Sequence, residues 1–518
     1  MKQITLILII ACVVVASSCK KDLKQVPIST ATTVTFYQQP SDFIQGVNAI
    51  YNSLRGFPDR SMFLSEVRSD NIYPTNDVGR DHDPINNFST GIAPNVYVEE
   101  AWTANFSGVF RANTVLDQIT KNGNFVGSAA LATRLTAEAR FLRAFFYFDL
   151  VKYFGKVPII DHPVIASEAV TIGRATIADV YTFIIADLQY AIANLPANYT
   201  GAFPNYTATD VGRATKYAAE ATLAKVYMTR SGVTYGIEGP GLGLNEWGLA
   251  LPLLQDVVNS GLYTFAATYG STSTSTGIFS YSNQNPTVNK EAVFDVMYLT
   301  GQSPVLGATY PWILAPQNYF NSFPTGNTPA NGALGTPSAS KNLVASFAAN
   351  DLRRSVTLHT TTFVYTGTAD ANPFLRKWLD TTKTPTSRFD WPINFMAIRY
   401  TDVLMLKAEC ILRGAAGTQG DVDAIVNLVR TRAGQTALAG VTLAQLLDER
   451  RREFANEGSR WFDLQRSGSL ITIMNAWIAT EDATLKKMNT VTANHVIYPV
   501  PQTQMDAAPG LYIQNPGY

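Results

Sequence analysis

Charged residues make up only 15% of this chain, yet the stretch 448–466, DERRREFANEGSRWFDLQR, is built largely from them. That concentration limits the possible folds more than any other feature. Glu449, Glu453 and Glu457 recur at i, i+4 and i+8, one row along a helix. Leu443, Leu446, Leu447, Arg450 and Phe454 fall at core-facing spacing, which carries Arg450 onto the apolar side. Thr442 and Gln445 form a capping-box pair at the start, and Gly458 supplies a stop. A charge taken inside persists only when paired. The stretch therefore reads as an ion-pair network of Arg450, Glu453, Glu457, Arg460 and Asp463 that locks one helix against the next segment. The competing reading takes the carboxylates as a general acid and base. It accounts less well for the interleaving of Arg and Glu at helical spacing.

Helical periodicity runs through most of the remaining chain. Phe43, Val47, Ile50 and Leu54 make one apolar stripe, with Ser41 as its N-cap. Trp102, Phe106, Val109 and Leu116 mark a second helix. In 135–153, Phe141, Leu142, Phe145, Phe146 and Phe148 cover most of the circumference, which places that helix centrally. Thr176 and Asp179 open a helix running to Leu195. Further helices are expected over 214–230, where Ala218, Ala221 and Ala224 give a small-residue face, and over 247–260, 399–413, 421–433 and 442–457. Such helices, joined by short connections, build stacked hairpins. The fold class is mainly α.

Two stretches break the pattern. Pro58, Pro74, Gly79, Pro84, Gly91 and Pro94 punctuate 57–99, and Ser, Thr, Gly, Asn and Pro dominate 264–345. Loops on a rigid scaffold carry function, so the ligand face is expected to draw on the 70–99 loops of the first stretch and the 298–323 loops of the second. The division expected is a signal at 1–18, a tether at 19–35, a helical region at 36–263, a loop-rich insert at 264–345 and a second helical region at 346–518, compact with the first.

Forty basic residues balance forty acidic ones, which argues against a nucleic-acid partner. Polarity must come from hydroxyls, amides and 24 tyrosines, a surface suited to uncharged ligands. Three Cys and four His define no disulfide framework or zinc site. Cys410 sits in an apolar helical run and reads as a buried thiol. Asp81, His82, Asp83, Asn86 and Asn87 cluster, but lack the spacing of an EF-hand calcium loop. No metal and no cofactor are expected. At the N-terminus, Lys2, the apolar run from Ile4 to Ala16 and the small residues before Cys19 read as a lipoprotein signal, with Cys19 as the acylated residue.

Several motifs in order carry a family resemblance. They include Ser69–Asp70–Asn71, Arg111–Ala112–Asn113, Glu138 with Arg140, Leu142 and Arg143, and Tyr153–Phe154–Gly155. Arg399–Tyr400–Thr401–Asp402 follows, then Asn427 with Arg430, Arg432 and Gly434, and Arg452–Glu453–Phe454 with Arg460–Trp461–Phe462–Asp463–Leu464. The chain resembles the SusD/RagB family of outer-membrane lipoproteins that capture nutrients. The resemblance implies tetratricopeptide-like hairpins under a loop-rich ligand face, lipid anchorage in the outer membrane, and a SusC-like TonB-dependent transporter as partner. It also implies capture of oligosaccharides without catalysis. Loop context then selects Trp312, Tyr310 and Tyr319 for stacking on sugars, and Arg80, Asp81 and Asn86 for hydroxyls. Peptide cargo on the same fold is the first alternative, and a surface glycoside hydrolase, which needs two carboxylates across the scissile bond, is the second.

Overall fold

The computed structural model describes residues 36–73, 81–270, 274, 276–316, 319, 338–365, 368–382, 385, 387 and 389–518. The signal, the tether, Cys19 and Arg80 lie outside them.

Helix α1 (Pro40–Asn52) starts one residue before the expected cap: Gln39 stands at the N-cap, Pro40 at the first turn, and Asp42 closes the capping box. The chain then continues as helix α2 (Phe57–Ser61) and a π-helical turn, Met62–Glu66. Proline-rich punctuation had suggested a loop here, but Pro58 occupies the first turn of α2, where no amide donor is needed.

Helices α3 (Val96–Lys121) and α4 (Ala129–Phe154) form the first long hairpin. The Asn95 and Ser128 side chains cap them by accepting amides of their first turns. Helix α4 is buried round most of its circumference, including Phe141, Leu142, Phe145, Phe146 and Phe148. Each such side chain contributes about 1.5–3 kcal/mol of burial. At Gly108 of α3 a Cβ would run into the Phe146 ring, so the two axes approach closely because that residue has no side chain.

Helices α5 (Ile177–Asn194), α6 (Lys216–Arg230), α7 (Trp247–Asn259), α8 (Tyr400–Leu412), α9 (Gln419–Arg432) and α10 (Leu443–Phe454) continue the stack. Each packs on the one before it in chain order, from α3 to α10. The fold is mainly helical, a tetratricopeptide-like array, and α7 packs directly on α8 although residues 260–399 separate them. The array closes with α11 (Arg460–Ser467) and α12 (Leu470–Glu481).

The strands are short. They are β1 (Ile72–Tyr73), β2 (Ala292–Val296), β3 (Ser338–Ala339), β4 (Leu358–His359), β5 (Phe363–Tyr365), β6 (Thr368–Asp370), β7 (Phe374–Leu375) and β8 (Phe395–Arg399). They pair antiparallel as β1–β3, β2–β8, β4–β7 and β5–β6. The β2–β8 ladder pins the excursion to the helical body, with Phe294 edge-on against Phe141 and Phe145 of α4.

Buried charge cross-braces the C-terminal half. Glu453 of α10 accepts Arg399 at 2.8 Å, Arg353 at 3.2 Å and Arg432. Burial opposes its charge, but these three guanidinium groups outweigh it and hold the carboxyl far below the usual range. Arg450 forks onto Asp463 at 2.9 and 3.1 Å and reaches Asp402 at 2.9 Å. Arg460 forks onto Asp70 at 2.8 and 2.9 Å. Glu457 accepts Lys377 at 2.9 Å and Arg399 at 2.8 Å.

The expected helical row of Glu449, Glu453 and Glu457 does not form in full. Helix α10 ends at Phe454, with Asn456 in the left-handed region (φ 67°), so Glu457 is not the third member of a helical row. The buried Glu66 carboxylate accepts the amides of Asn456 and Gly458 at 2.8 and 3.0 Å, which holds the chain in a turn before Gly458 is reached.

Candidate functional site

Five of the six expected ligand residues lie among the described residues, and the structure does not bring them together. Tyr310 is 2% exposed. Its hydroxyl donates to the Ile393 and Asn394 carbonyls, and its ring meets Trp378 and Phe395 edge-on. Asn86 is fully buried, donating to the Val67 and Ile72 carbonyls. Both are corrections: the Tyr310 hydroxyl is taken up by backbone more than eighty residues away, and the Asn86 amide nitrogen by backbone fewer than twenty residues before it. Tyr319 is also buried, packed on His359 and Phe374, with Arg376 donating to its hydroxyl at 3.3 Å. Asp81 is exposed, and its carbonyl accepts the Asn95 side chain at 2.6 Å. Trp312 belongs to a single helical turn, Tyr310–Ile313; its side chain, like Arg80, lies outside the description.

What the structure does bring together is the two expected loop regions, on either side of α2. On one side, Tyr298 donates to the Arg55 carbonyl at 2.5 Å, Arg55 donates to the Val305 carbonyl at 2.8 Å, and the Thr309 hydroxyl donates to the Asp59 carboxylate. A hairpin tip between them presents Leu299 and Val305, about half exposed, braced by Thr300 and Gly301 donating to Asp390 at 2.8 and 2.9 Å. On the other side, the half-buried Phe63 ring of the π-helical turn stacks on Tyr97 at 3.7 Å between centroids, 17° from parallel. The His82 ring lies nearly parallel to Phe63 at 6.5 Å. Asn95, which caps α3, ties Tyr97 to the Asp81 loop.

Asp59, which the Thr309 hydroxyl of the first side reaches, precedes Phe63 by four residues in the chain. Burial pushes its carboxyl up to about 7; the Thr309 hydroxyl restrains the rise, the Glu100 carboxylate adds to it, and Arg60 and Arg55 oppose it. Its Oδ1 is buried with no hydrogen-bond partner among the described residues. Flat aromatic surface together with a carboxyl of incomplete hydrogen bonding can hold a ligand that combines C–H faces with hydroxyls. Sequence reading missed Phe63 and Asp59. The available signal was the triplet Met62–Phe63–Leu64: three consecutive apolar residues on one helical segment cannot all face the core.

Among the described residues, no group of three or more His, Cys, Asp or Glu could hold a metal ion, and no helix is long and apolar enough to cross a membrane. Burial pushes the Cys410 thiol well above its usual range, so it stays protonated and unreactive.

A stacked helical array that carries inserted loops as its exposed face defines the class of protein. Comparison with known sequences gives the family. Residues 345–518 match the model of the SusD family, and residues 27–228 match one described as starch-binding associating with outer membrane. The chain belongs to the SusD-like family. SusD-like protein P25 of Formosa agariphila is 25% identical over 543 residues, covering 95% of each chain. A SusD-like protein of Bacteroides ovatus is 28% identical over 390 residues, covering 70% of this chain and 64% of its own. Among solved structures, surface glycan-binding protein A from Bacteroides uniformis superposes with a TM-score of 0.75 at 23% identity, covering 92% of this chain and all of that one. A laminarin-binding SusD-like protein superposes at 0.72 and 24% identity, covering 93% and 100%. Likeness at these identities is likeness of fold.

Proposed function

We propose that this chain is a cell-surface glycan-binding protein. It captures oligosaccharides on the face around α2 and passes them, chemically unaltered, to a SusC-like TonB-dependent transporter of the outer membrane. The observation that carries the reading is the half-buried Phe63–Tyr97 stack, four residues on from Asp59 in the chain. A sugar ring lays its C–H face on such a surface and turns its hydroxyls toward the carboxyl. Each contact returns little net energy in water, so affinity is modest.

Glycan cargo is further supported by relatives of the same fold, among them surface glycan-binding protein A from Bacteroides thetaiotaomicron, solved in complex with laminarihexaose. Association with the outer membrane is supported by the family description of residues 27–228, and a lipid on Cys19 would supply the anchor. Trp312, Arg80 and Asp81 remain candidates for the same face.

The test is isothermal titration of the full chain against oligosaccharides, laminarihexaose included, and against peptides. The variants are Phe63→Ala, Tyr97→Ala and Trp312→Ala. Glycan binding that weakens about five- to tenfold on loss of Phe63 or Tyr97 supports the reading. Binding of peptides and no glycan overturns the cargo, and release of new reducing ends on incubation overturns the non-catalytic role.

A further inference from the structure

A cleft of about 340 Å3 lies between the α5–α6 connection, the end of α7 and strand β2, and none of Phe63, Asp59, Asp81 or Tyr97 lines it. Its volume is at the lower end of the range of small-molecule sites. Part of its wall is apolar, from Val211, Leu262 and Met297. Tyr199 and Tyr263 flank these residues as fixed rings. The Tyr199 hydroxyl donates to the Arg213 carbonyl at 2.6 Å and its ring stacks on Tyr206; Tyr263 stacks on Tyr400.

The polar part is incompletely bonded. Strand β2 carries register shifts between Ala292 and Phe294 and between Phe294 and Asp295. Such bulges re-aim side chains. Here Phe294, which packs on α4, and Asp295 next to it both line the cleft. The Asn394 side chain hydrogen-bonds the Asp295 carboxyl. Asp295 Oδ1 and Asn289 Oδ1 are nevertheless buried, and neither has a hydrogen-bond partner among the described residues. Buried acceptors without partners are uncommon and call for an explanation.

We propose that this cleft is a second binding site, separate from the α2 face, for a small neutral polyhydroxylated molecule of the size of one or two sugar rings. Its hydroxyls meet Asp295 Oδ1 and Asn289 Oδ1, and its carbon skeleton lies on the apolar wall.

The chemistry of the lining selects that class. Burial pushes the Asp295 carboxyl up to about 8, so near neutrality the cleft holds mostly a carboxylic acid. An acid that donates, beside an amide oxygen that accepts, is matched by hydroxyls, which do both. A cation finds mostly uncharged acid to pair with. Of the two cations that line the cleft, Arg213 is already committed to Glu138 and Asp210, at 2.8 and 2.9 Å, and Lys290 is exposed, where pairing with an anion returns little. The site does not depend on the reading of the α2 face.

The experiment is saturation-transfer NMR and titration calorimetry on the full chain with methyl β-D-glucopyranoside and myo-inositol as neutral probes. Methylammonium and acetate serve as charged controls. Melting curves establish that each variant is folded. At least one neutral probe is expected to bind, and both charged controls to bind more weakly. Asp295→Leu removes the acid, and Leu262→Trp blocks the mouth from an exposed position without touching the acid. Each is expected to cut affinity at least about tenfold, whereas Phe63→Ala leaves it unchanged. If Asp295→Leu fails to fold, Leu262→Trp decides. No binding of either neutral probe, retained affinity in the folded variants, or tighter binding of a charged control overturns the proposal. A probe lost on Phe63→Ala but kept in the cleft variants does so as well, by locating binding at the α2 face.

Discussion

The charged core around α10 and the face around α2 treat carboxyl groups in opposite ways. In the core, Glu453 meets three arginines and Asp70 meets Arg460 and Arg451, and both carboxyls are held below their usual range. On the face, Asp59 keeps one oxygen buried without a partner and is pushed up to about 7. Burial opposes the charge of all three carboxyls. The difference lies in whether the chain supplies the counter-charge. Where it does, the group fastens segments far apart in sequence, such as Asp70 to α11. Where it does not, hydrogen-bonding capacity is left over for something else.

The comparison can be broken at its strongest point first. Glu453→Gln leaves Arg353, Arg399 and Arg432 facing a neutral amide, and stability is expected to fall by about 3–5 kcal/mol, read by urea denaturation. Arg460→Met strips Asp70 of its bidentate partner and is expected to cost somewhat less, about 3 kcal/mol, because Arg451 remains at 3.3 Å. Neither variant, while folded, should change glycan affinity. Phe63→Ala reverses that pattern: affinity for a bound glycan drops by about 1 kcal/mol, and the melting temperature moves little because the ring is half-buried.

Acid and base titrations sharpen the contrast through its sign. Burial alone would raise the Asp70 carboxyl; Arg451 and Arg460 outweigh it and hold it at about 2, below its reference of 3.8. Its contribution to stability is therefore present above 3.8 and lost as pH falls toward 2. Asp59 is raised from 3.8 to about 7, so its contribution is complete below 3.8 and lost as pH rises through 7. Asp70→Asn should flatten the acid limb of the stability curve. Asp59→Asn should flatten the limb between 3.8 and 7, so that its advantage over the native chain grows as pH rises across that window.

The helices were legible because their signals are local. The Thr176 and Thr442 caps form, the stripe through Phe43 and Ile50 is buried, and α4 is central because its aromatic residues leave it few polar faces. The partners of the 448–466 charges were not legible. Arg353, Lys377 and Arg399 come from the excursion between α7 and α8, a pairing that no periodicity records. Tyr310 misled for the same reason. Its Ser-, Gly- and Pro-rich surroundings read as surface, but Trp378, Ile393 and Phe395 arrive from more than sixty residues away to bury it. Phe63 was overlooked because a π-helical turn has no apolar stripe of its own to set against the 3.6-residue period.

The most direct test is one titration of the full chain with an oligosaccharide it binds, run beside the Phe63→Ala, Tyr97→Ala double variant, with the sugar analysed for chain length afterwards. The account predicts heat of binding from the native chain, about tenfold or greater loss in a double variant that melts normally, and sugar recovered at its original length. Undiminished binding by the double variant, or shortened sugar, would contradict it.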